Sequence, residues 1–280
     1  MTSTDPIIHH PLVLQLGPLS VTGFGLAVLA AFGIGQVVAQ HESVRRGLDP
    51  EPIADVVFAS IIGFLLGAKL YYVILMHDFS LFFTRGGFVF WGGLMGGIFA
   101  SWVAIRRRKI PFLRIADVCA AGIAAGYSVG RTGCWAVGDD YGRPWVSRFA
   151  VAFPEGAPPS TVRSLSQDFS SAIPAGAGPD TVLSVYPTQI YEVALGFLMF
   201  WYLWRVRDHK HAEGWLFGLY CVLAGVERFL IEFMRAKDDR FFGALTSAQV
   251  IAIGFVVVGA IIMQLRNTPK AGMPGIYASA

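Results

Sequence analysis

Charged residues are scarce in this 280-residue chain, and their scarcity excludes most soluble folds. Asp, Glu, Lys and Arg make up 15% of the sequence, against about 25% in a typical soluble domain. Hydrophobic residues make up 54%, and the mean hydropathy is +0.55. The apolar residues fall into blocks of roughly 20, the length at which a helix crosses a bilayer core. The composition therefore predicts an all-α integral membrane protein.

Cysteines are few, and several familiar catalytic motifs are missing. Cys119, Cys134 and Cys221 are too scattered for a disulfide framework or a zinc site. The sequence has no H-E-x-x-H or P-loop motif, so we expect no metal and no cofactor. A net charge of +3 without a basic, aromatic-rich patch excludes nucleic acid as a partner. Residues 1–18 lack a basic n-region and a cleavage site, so we expect the first membrane helix to serve as the insertion signal.

The apolar blocks predict seven membrane-spanning helices in a single domain that covers residues 1–280. We expect these helices at 19–40, 53–76, 87–105, 114–131, 186–204, 213–234 and 246–265. The connector at 132–185 is much longer than the others and rich in proline, and a loop of this kind is usually functional or flexible. We predict that it forms a periplasmic cap between the fourth and fifth helices, with mobile stretches near 155–180.

The distribution of Lys and Arg among the connectors predicts the orientation, because cytoplasmic loops carry an excess of both. Most basic residues outside the long connector share one side of the predicted membrane. They are Arg45, Arg46, Arg106, Arg107, Arg108, Lys109, Arg114, Arg205, Arg207, Lys210, Arg266 and Lys270. We therefore expect the N-terminus and the long connector outside, and the C-terminus in the cytoplasm.

A polar motif at the outer end of the fourth segment contains the residues from Gly130 to Arg143. It combines Arg131 with the adjacent carboxylates Asp139 and Asp140 in a glycine-rich setting. One reading is an ordinary helix end, with an arginine reaching the interface before a turn. The other is a ligand site, because charge at membrane depth is costly and usually has a function.

Two further motifs lie near the same predicted face. The fifth segment opens with the polar residues Gln189, Tyr191 and Glu192. In the sixth segment Arg228 and Glu232 are spaced i, i+4 and can pair, and Arg235 follows on roughly the same helix face. Arginines that converge at a membrane boundary suit a phosphate, because the guanidinium fork holds two oxygens. The alternative is a set of structural ion pairs, and the nearby carboxylates could transfer protons or orient the arginines.

The third segment is unusually rich in glycine around Trp91. The glycines are Gly86, Gly87, Gly92, Gly93, Gly96 and Gly97. Small residues four apart allow close helix packing in lipid, which predicts a tight helix crossing. The alternative is that they make room for a lipid or a peptide beside the helix.

With these motifs in view, the chain resembles the prolipoprotein diacylglyceryl transferases of bacterial inner membranes. Four stretches carry the resemblance in order, at 90–97, 130–143, 186–192 and 228–235. The family has a seven-helix fold with its N-terminus outside. Its members move the diacylglyceryl group of phosphatidylglycerol to the thiol of a lipobox cysteine in a preprolipoprotein, and glycerol-1-phosphate leaves. The resemblance therefore implies an inner-membrane enzyme with phosphatidylglycerol, preprolipoprotein signal peptides and membrane lipids as partners, which we expect to be a monomer.

The resemblance also implies roles for individual residues. Those that match catalytic positions are Arg131, Arg228, Asp139 and Glu232. Those expected to bind substrate are Arg131, Gly142, Arg143, Gln189, Tyr191, Glu192, Arg235, Trp91, Gly92 and Gly93.

Three positions depart from the family pattern. Phe24 stands where the family has a tyrosine, Trp91 where it often has a histidine, and Cys134 where it often has an asparagine. The general base therefore stays open among Asp139, Asp140, Glu232 and water. A diverged member that binds phospholipid or lipopeptide without transfer is one alternative function, and a small transporter or channel is another.

Overall fold

The computed structural model describes residues 6–17, 19–84, 87–166, 173, 176–235, 240–242 and 245–267. Within these residues the chain is mostly helical. The helices are α1 Gly23–Arg45, α2 Glu51–Met76, α3 Phe90–Arg107, α4 Phe112–Val137, the short α5 Val162–Leu165, α6 Thr188–Arg205, α7 Trp215–Arg235 and α8 Ser247–Leu265, with a 3-10 helix at Phe79–Phe83. The strands are β1 Ile7–Ile8, β2 Val13–Leu16, β3 Leu19–Thr22, β4 Val151–Ala152, β5 Ser184–Val185, β6 Arg240–Phe242 and β7 Leu245–Thr246.

Each of the seven predicted segments coincides with a long helix. Four of these helices, α1, α2, α4 and α8, are long and apolar enough to cross a membrane. The prediction of an all-α chain is incomplete, because short strands pair the backbone outside the long helices. The expected mobile stretch near 155–180 includes 167–172, 174 and 175, which lie outside the described residues, as do Gly86 and Lys270.

Helix α4 is the centre of the bundle. Of its most apolar part 56% is buried, against 17% in α1, α2 and α8. It packs against α1, α6 and α7, and small residues allow the close approach. A Cβ atom added to Gly122 would lie 2.5 Å from the carbonyl oxygen of Gly35 on α1, so only glycine fits there. The helix continues to Val137, six residues past its expected end, and Arg131 therefore lies inside it.

The glycines of α3 form a tight crossing with α2. A Cβ atom added to Gly92 would overlap the carbonyl oxygen of Gly67, and one added to Gly93 would lie 2.7 Å from the Phe64 ring. Helix packing therefore accounts for both glycines. At the other end of this pair, an apolar cluster joins α1, α2, α3 and α4 through Ala39, Ile53, Ile105, Ile115 and Val118.

A buried polar network lies at the same end of the bundle as this apolar cluster; we call this end the basic end, because it carries Arg45, Arg46 and Arg108. Asp117 on α4 is fully buried, and it accepts a hydrogen bond from Arg46 at 2.9 Å. Its other oxygen accepts from the backbone N–H groups of Gly214 and Leu216, at 3.0 and 2.7 Å, at the start of α7. The carboxylate therefore fastens α1 and α7 to α4.

Pieces distant in sequence build a small layer at the end of α4. Strands β1, β4 and β5 form one sheet, with β1 parallel and β5 antiparallel to β4. Buried Tyr141 and Phe153 stack with their ring centroids 5.2 Å apart, and Val151, Leu165 and Val185 complete the core. The N-terminal arm therefore belongs to this layer together with the long connector.

Candidate phosphate-binding site

The end of α4 sets the position of the polar groups that follow it. Gly138 ends the helix in the left-handed conformation, with a φ of 69°, and its N–H is bonded to the carbonyl groups of Cys134 and Trp135. Asp140 is also left-handed, with a φ of 63°. The Asp139 carboxylate accepts a hydrogen bond from the Asp140 N–H at 2.6 Å, which supports this turn. The turn directs the Asp140 side chain back toward α4.

Arg131, Asp140, Glu192 and Arg235 form what we call the arginine–carboxylate cluster. The Asp140 carboxylate lies 2.5 Å from Nη1 of Arg131 and 2.5 Å from Nη2 of Arg235. Oε1 of Glu192, which is fully buried, lies 3.2 Å from Arg131 and 3.6 Å from Arg235. The cluster joins α4, α6, α7 and the turn after α4, so it fixes the two guanidinium groups side by side.

Asp140 stays ionised in this setting. Burial disfavours its charged form, but Arg235 and Arg131 oppose the effect, and the pKa of the carboxyl lies below its ordinary value. The fixed negative charge keeps both arginines oriented.

The two adjacent aspartates have different surroundings. The backbone carbonyl of Asp139 accepts from Nε2 of the buried Gln189 at 2.6 Å, and that of Asp140 accepts from the Thr188 hydroxyl at 2.9 Å. The start of α6 therefore holds the turn through its backbone, while the Asp140 side chain reaches the arginines. From the sequence both aspartates were candidates for orienting the arginines, because spacing alone does not reveal a left-handed turn.

Arg228 and Glu232 pair along α7, at 2.5 Å, as their spacing predicts. Oε1 of Glu232 also accepts a hydrogen bond from the hydroxyl of Thr246 at 3.2 Å. Nη1 of Arg228 is buried, and within the described residues it has no hydrogen-bond partner. Because buried polar groups in proteins are almost always bonded, this nitrogen is free to bind a ligand oxygen.

Gly142 and Arg143 anchor the connector to the ends of α6 and α7. The N–H of Gly142 bonds to the carbonyl of Tyr186 at 2.9 Å, and that of Arg143 to the carbonyl of Met234 at 2.9 Å. A Cβ atom on Gly142 would lie 2.5 Å from the Met234 oxygen. The Arg143 guanidinium lies over the Tyr186 ring, 5.9 Å from its centroid. Arg143 therefore contacts an aromatic ring beside the cluster and makes no ion pair with it among the described residues.

The remaining predicted residues lie apart from the cluster. Trp91 is half exposed at the start of α3, where Gly92 and Gly93 face α2. Tyr191, on α6, has no hydrogen bond to the cluster in the described part of the chain. Cys134, which departs from the family pattern, does lie near the cluster, since Nη1 of Arg131 is 3.7 Å from the Cys134 sulfur.

Sequence reasoning missed Tyr127 and Glu227. The Tyr127 hydroxyl donates to Oε1 of Glu227 at 3.0 Å, and the guanidinium carbon of Arg131 lies 5.4 Å from the centroid of the Tyr127 ring. The available signals were positional: Tyr127 precedes Arg131 by four residues on α4, and Glu227 directly precedes Arg228.

Comparison with known proteins adds the identity of the family. A family model described as prolipoprotein diacylglyceryl transferase matches residues 11–265. A protein of Xanthomonas euvesicatoria pv. vesicatoria is 29% identical over 287 aligned residues, covering 96% of this chain and 95% of that protein. One of Nitratidesulfovibrio vulgaris (strain DSM 19637 / Miyazaki F) is 30% identical, covering 94% and 96%. Both are named phosphatidylglycerol–prolipoprotein diacylglyceryl transferase. A match of this extent shows that the chain belongs to the prolipoprotein diacylglyceryl transferase family.

Proposed function

We propose that this protein transfers the diacylglyceryl group of phosphatidylglycerol to the thiol of a lipobox cysteine in preprolipoproteins, and releases glycerol-1-phosphate. The observation that carries the proposal is the convergence of Arg131 and Arg235 in one cluster, with Arg228 nearby on α7. The names of the relatives state phosphatidylglycerol and a prolipoprotein as their substrates. A site rich in guanidinium groups suits the phosphate of phosphatidylglycerol.

Arg131 and Arg228 bind the phosphate in this proposal. Nη1 of Arg228 supplies a buried donor that has no hydrogen-bond partner within the described residues. Arg131 supplies a second charge, which Asp140 and Glu192 hold in place. Donors fixed before the reaction stabilise the charge that grows on the leaving phosphate without reorganising, and this is usually the largest contribution to catalysis.

The other polar residues have supporting roles. Glu232 orients Arg228 through its ion pair, and Gln189 holds the turn that carries Asp139 and Asp140. Gly142 brings the connector backbone close to α7, on the side of the cluster where the peptide would enter. We assign peptide and lipid contacts to Arg143 and to the more distant surface that includes Tyr191 and Trp91, the latter positioned by the packing of Gly92 and Gly93 against α2.

We further propose the membrane arrangement that the charge distribution predicts. The seven long helices all span the inner membrane, with the basic end in the cytoplasm. The layer built on β1, β4 and β5 is then the periplasmic cap, and it lies over the arginine–carboxylate cluster. This places the site at the outer boundary, where phosphatidylglycerol headgroups and exported precursor proteins meet. The protein acts as a monomer.

Single replacements of Arg131 and Arg228 by alanine test the proposed function. In liposomes that contain labelled phosphatidylglycerol, we expect each variant to transfer label to a lipobox peptide about 10²- to 10³-fold more slowly. Arg163→Ala is the matched control, because this arginine is exposed and pairs with Asp180 at 2.9 Å, and it should behave like the wild type. Undiminished transfer by both test variants would show that the proposal is wrong.

A second candidate is a family member that binds phospholipid without transfer. Phe24 and Trp91 favour it, because neither side chain can exchange a proton in the way that the residues of the family pattern can. Expression in a strain depleted of its own transferase separates the two functions. Growth and lipidated precursor proteins support transfer, whereas phosphatidylglycerol binding without either result supports the second candidate.

A further inference from the structure

A buried carboxyl group lies one helical turn below Arg131. Glu227 on α7 is 8% exposed, and its Oε1 accepts a hydrogen bond from the Tyr127 hydroxyl across the contact between α7 and α4, at 3.0 Å. Tyr127 precedes Arg131 by four residues, a rise of about 6 Å along the helix. The Tyr127 ring faces the Arg131 guanidinium. Glu227 is thus connected through one side chain to the centre of the proposed site.

Charge balance distinguishes Glu227 from the other carboxylates. Asp140 and Glu192 pair with Arg131 and Arg235, and Glu232 pairs with Arg228. These three carboxylates neutralise three arginines. Glu227 has no ion pair within the described residues and receives only a neutral hydroxyl bond.

One oxygen of Glu227 is available for proton transfer. Oε1 is occupied by Tyr127, while Oε2 has no hydrogen bond to any described residue. Carboxylates that arginines hold in ion pairs accept protons less readily than an unpaired one. The general base of a reaction must take up a proton and release it again at the working pH, so a carboxyl without its own cation is suited to that role.

The histidines of the chain lie elsewhere. His9 packs against Trp135 and Phe153 in the cap layer, and His10 is exposed beside Glu155. His77 caps the end of α2, and the others lie at the basic end: His41, His209 and His211. None of them contacts the arginine–carboxylate cluster in the described part of the chain.

We infer that Glu227 is the general base of the transfer reaction and that Tyr127 positions it. The inference rests on the proposed function and assigns to this site a proton acceptor that the residues at Phe24 and Trp91 do not provide.

In the proposed step, each bond that forms is matched by a bond that breaks. The thiol S–H bond breaks and its proton moves to Oε2 of Glu227. The sulfur forms a bond to the glycerol carbon of the diacylglyceryl group, and the C–O bond to the phosphate breaks, with its electron pair remaining on the phosphate oxygen. Arg131 and Arg228 hold the resulting glycerol phosphate. Glu227 then passes its proton to the departing phosphate or to water, which restores the starting state.

The test compares Glu227→Gln with the wild type in the liposome assay. Glutamine keeps the shape and can still accept the Tyr127 hydroxyl bond, but it cannot take up a proton. We expect kcat to fall about 10²- to 10⁴-fold while KM for phosphatidylglycerol changes less than about twofold. The rise of kcat with pH should disappear. Tyr127→Phe should lower kcat about tenfold and keep the pH profile, because it removes only the positioning bond.

Two controls separate this role from a structural one. Glu213→Gln, at the basic end, removes a partly buried carboxyl that pairs with Arg114 at 2.7 Å, and it should transfer like the wild type. Glu227→Asp keeps a carboxyl but withdraws it by one methylene, so kcat should fall while the pH profile remains. If the glutamine variant does not fold, Glu227→Asp still tests the role of the carboxyl.

The outcomes are distinct from those for the proposed function. Absence of transfer by the wild type overturns the proposed function and this inference together. Transfer by the wild type with undiminished kcat and an unchanged pH profile in Glu227→Gln, or a kcat in Glu227→Asp that no longer depends on pH, overturns only the assignment of Glu227.

Discussion

At the scale of single residues, Asp140 determines the geometry of the arginine–carboxylate cluster. Replacing it by asparagine removes the charge that Arg131 and Arg235 share. We expect transfer to fall about 10- to 100-fold, and the protein to lose about 1–3 kcal/mol of unfolding free energy, because two buried guanidinium groups then have Glu192 as their remaining acid partner. Transfer assays and thermal unfolding in detergent measure these losses.

Asp139→Asn is the variant to compare with Asp140→Asn. Asparagine can still accept the bond from the Asp140 N–H, so we expect a smaller loss of transfer than in Asp140→Asn. Asp180→Asn, on the exposed surface, serves as the control. A larger loss in Asp139→Asn than in Asp140→Asn would return the main role to Asp139, the residue that the sequence resemblance favoured.

The ion pair of Arg228 with Glu232 was predictable from sequence, whereas the choice among the carboxylates near Arg131 was not. Arg131 and Arg228 stand in apolar runs, where charge is costly and therefore marks a site. The choice of Asp140 over Asp139 depends on the left-handed turn at Gly138 and Asp140, and no local pattern distinguishes two adjacent aspartates. Glu227 reads from sequence as one more charge beside Arg228, and only the contact between α4 and α7 shows its partner.

At the scale of secondary structure elements, long apolar runs predicted every long helix, since a helix satisfies its own backbone in lipid. The end of α4 was predicted too early, because the polar residues after Arg131 resemble a helix end. Glu192 on α6 and Asp140 in the turn after α4 satisfy Arg131 inside the helix, so the helix can continue to Val137. The strands of two to four residues are too short for an alternating pattern to predict them.

The carboxylate of Asp117 is predicted to hold three helices together. It joins α4 to Arg46 and to the first N–H groups of α7, and it is fully buried. Asp117→Ala should lower the unfolding free energy by about 3–5 kcal/mol, because it leaves the buried Arg46 with Glu42 as its remaining acid partner and orphans several N–H groups. Thermal or chemical unfolding of the protein in detergent measures the loss.

Asp208→Asn is the control for that experiment. Asp208 also pairs with an arginine at the basic end, Arg45, but its side chain is 61% exposed. We expect a change within about 0.5 kcal/mol, as for most exposed ion pairs. Equal losses in the two variants would contradict the assignment of Asp117 as the residue that fastens the helices.

At the scale of the whole molecule, the bundle separates two kinds of polar group. The network around Asp117 has its charges matched across α1, α4 and α7, and it serves assembly. The cluster around Arg131 lies next to buried polar atoms that have no hydrogen-bond partner within the described residues, Nη1 of Arg228 and Oε2 of Glu192. Atoms of this kind also occur at the basic end, on Arg46, Arg207 and His209, so it is the converging guanidinium groups that mark the cluster as the candidate site for a ligand.

The cap layer gives a prediction for pH, through His9. Its ring lies 4.6 Å from that of Trp135 and 5.0 Å from that of Phe153, and burial, with a smaller effect of His10, lowers its pKa below the ordinary 6.5. The unfolded chain therefore takes up this proton first as the pH falls. The stability contributed by neutral His9 is complete above about pH 6.5 and is lost as the pH falls from there through the folded-state pKa.

His9→Phe should remove that component, because phenylalanine fills the same aromatic site and does not titrate. We expect the melting temperature of the wild type to fall between about pH 7 and about pH 5, and that of His9→Phe to fall less. His10→Gln is the control, since His10 is exposed beside Glu155, and it should keep most of the pH dependence. If the melting temperature of His9→Phe depends on pH as that of the wild type does, a group other than His9 is responsible for the pH dependence.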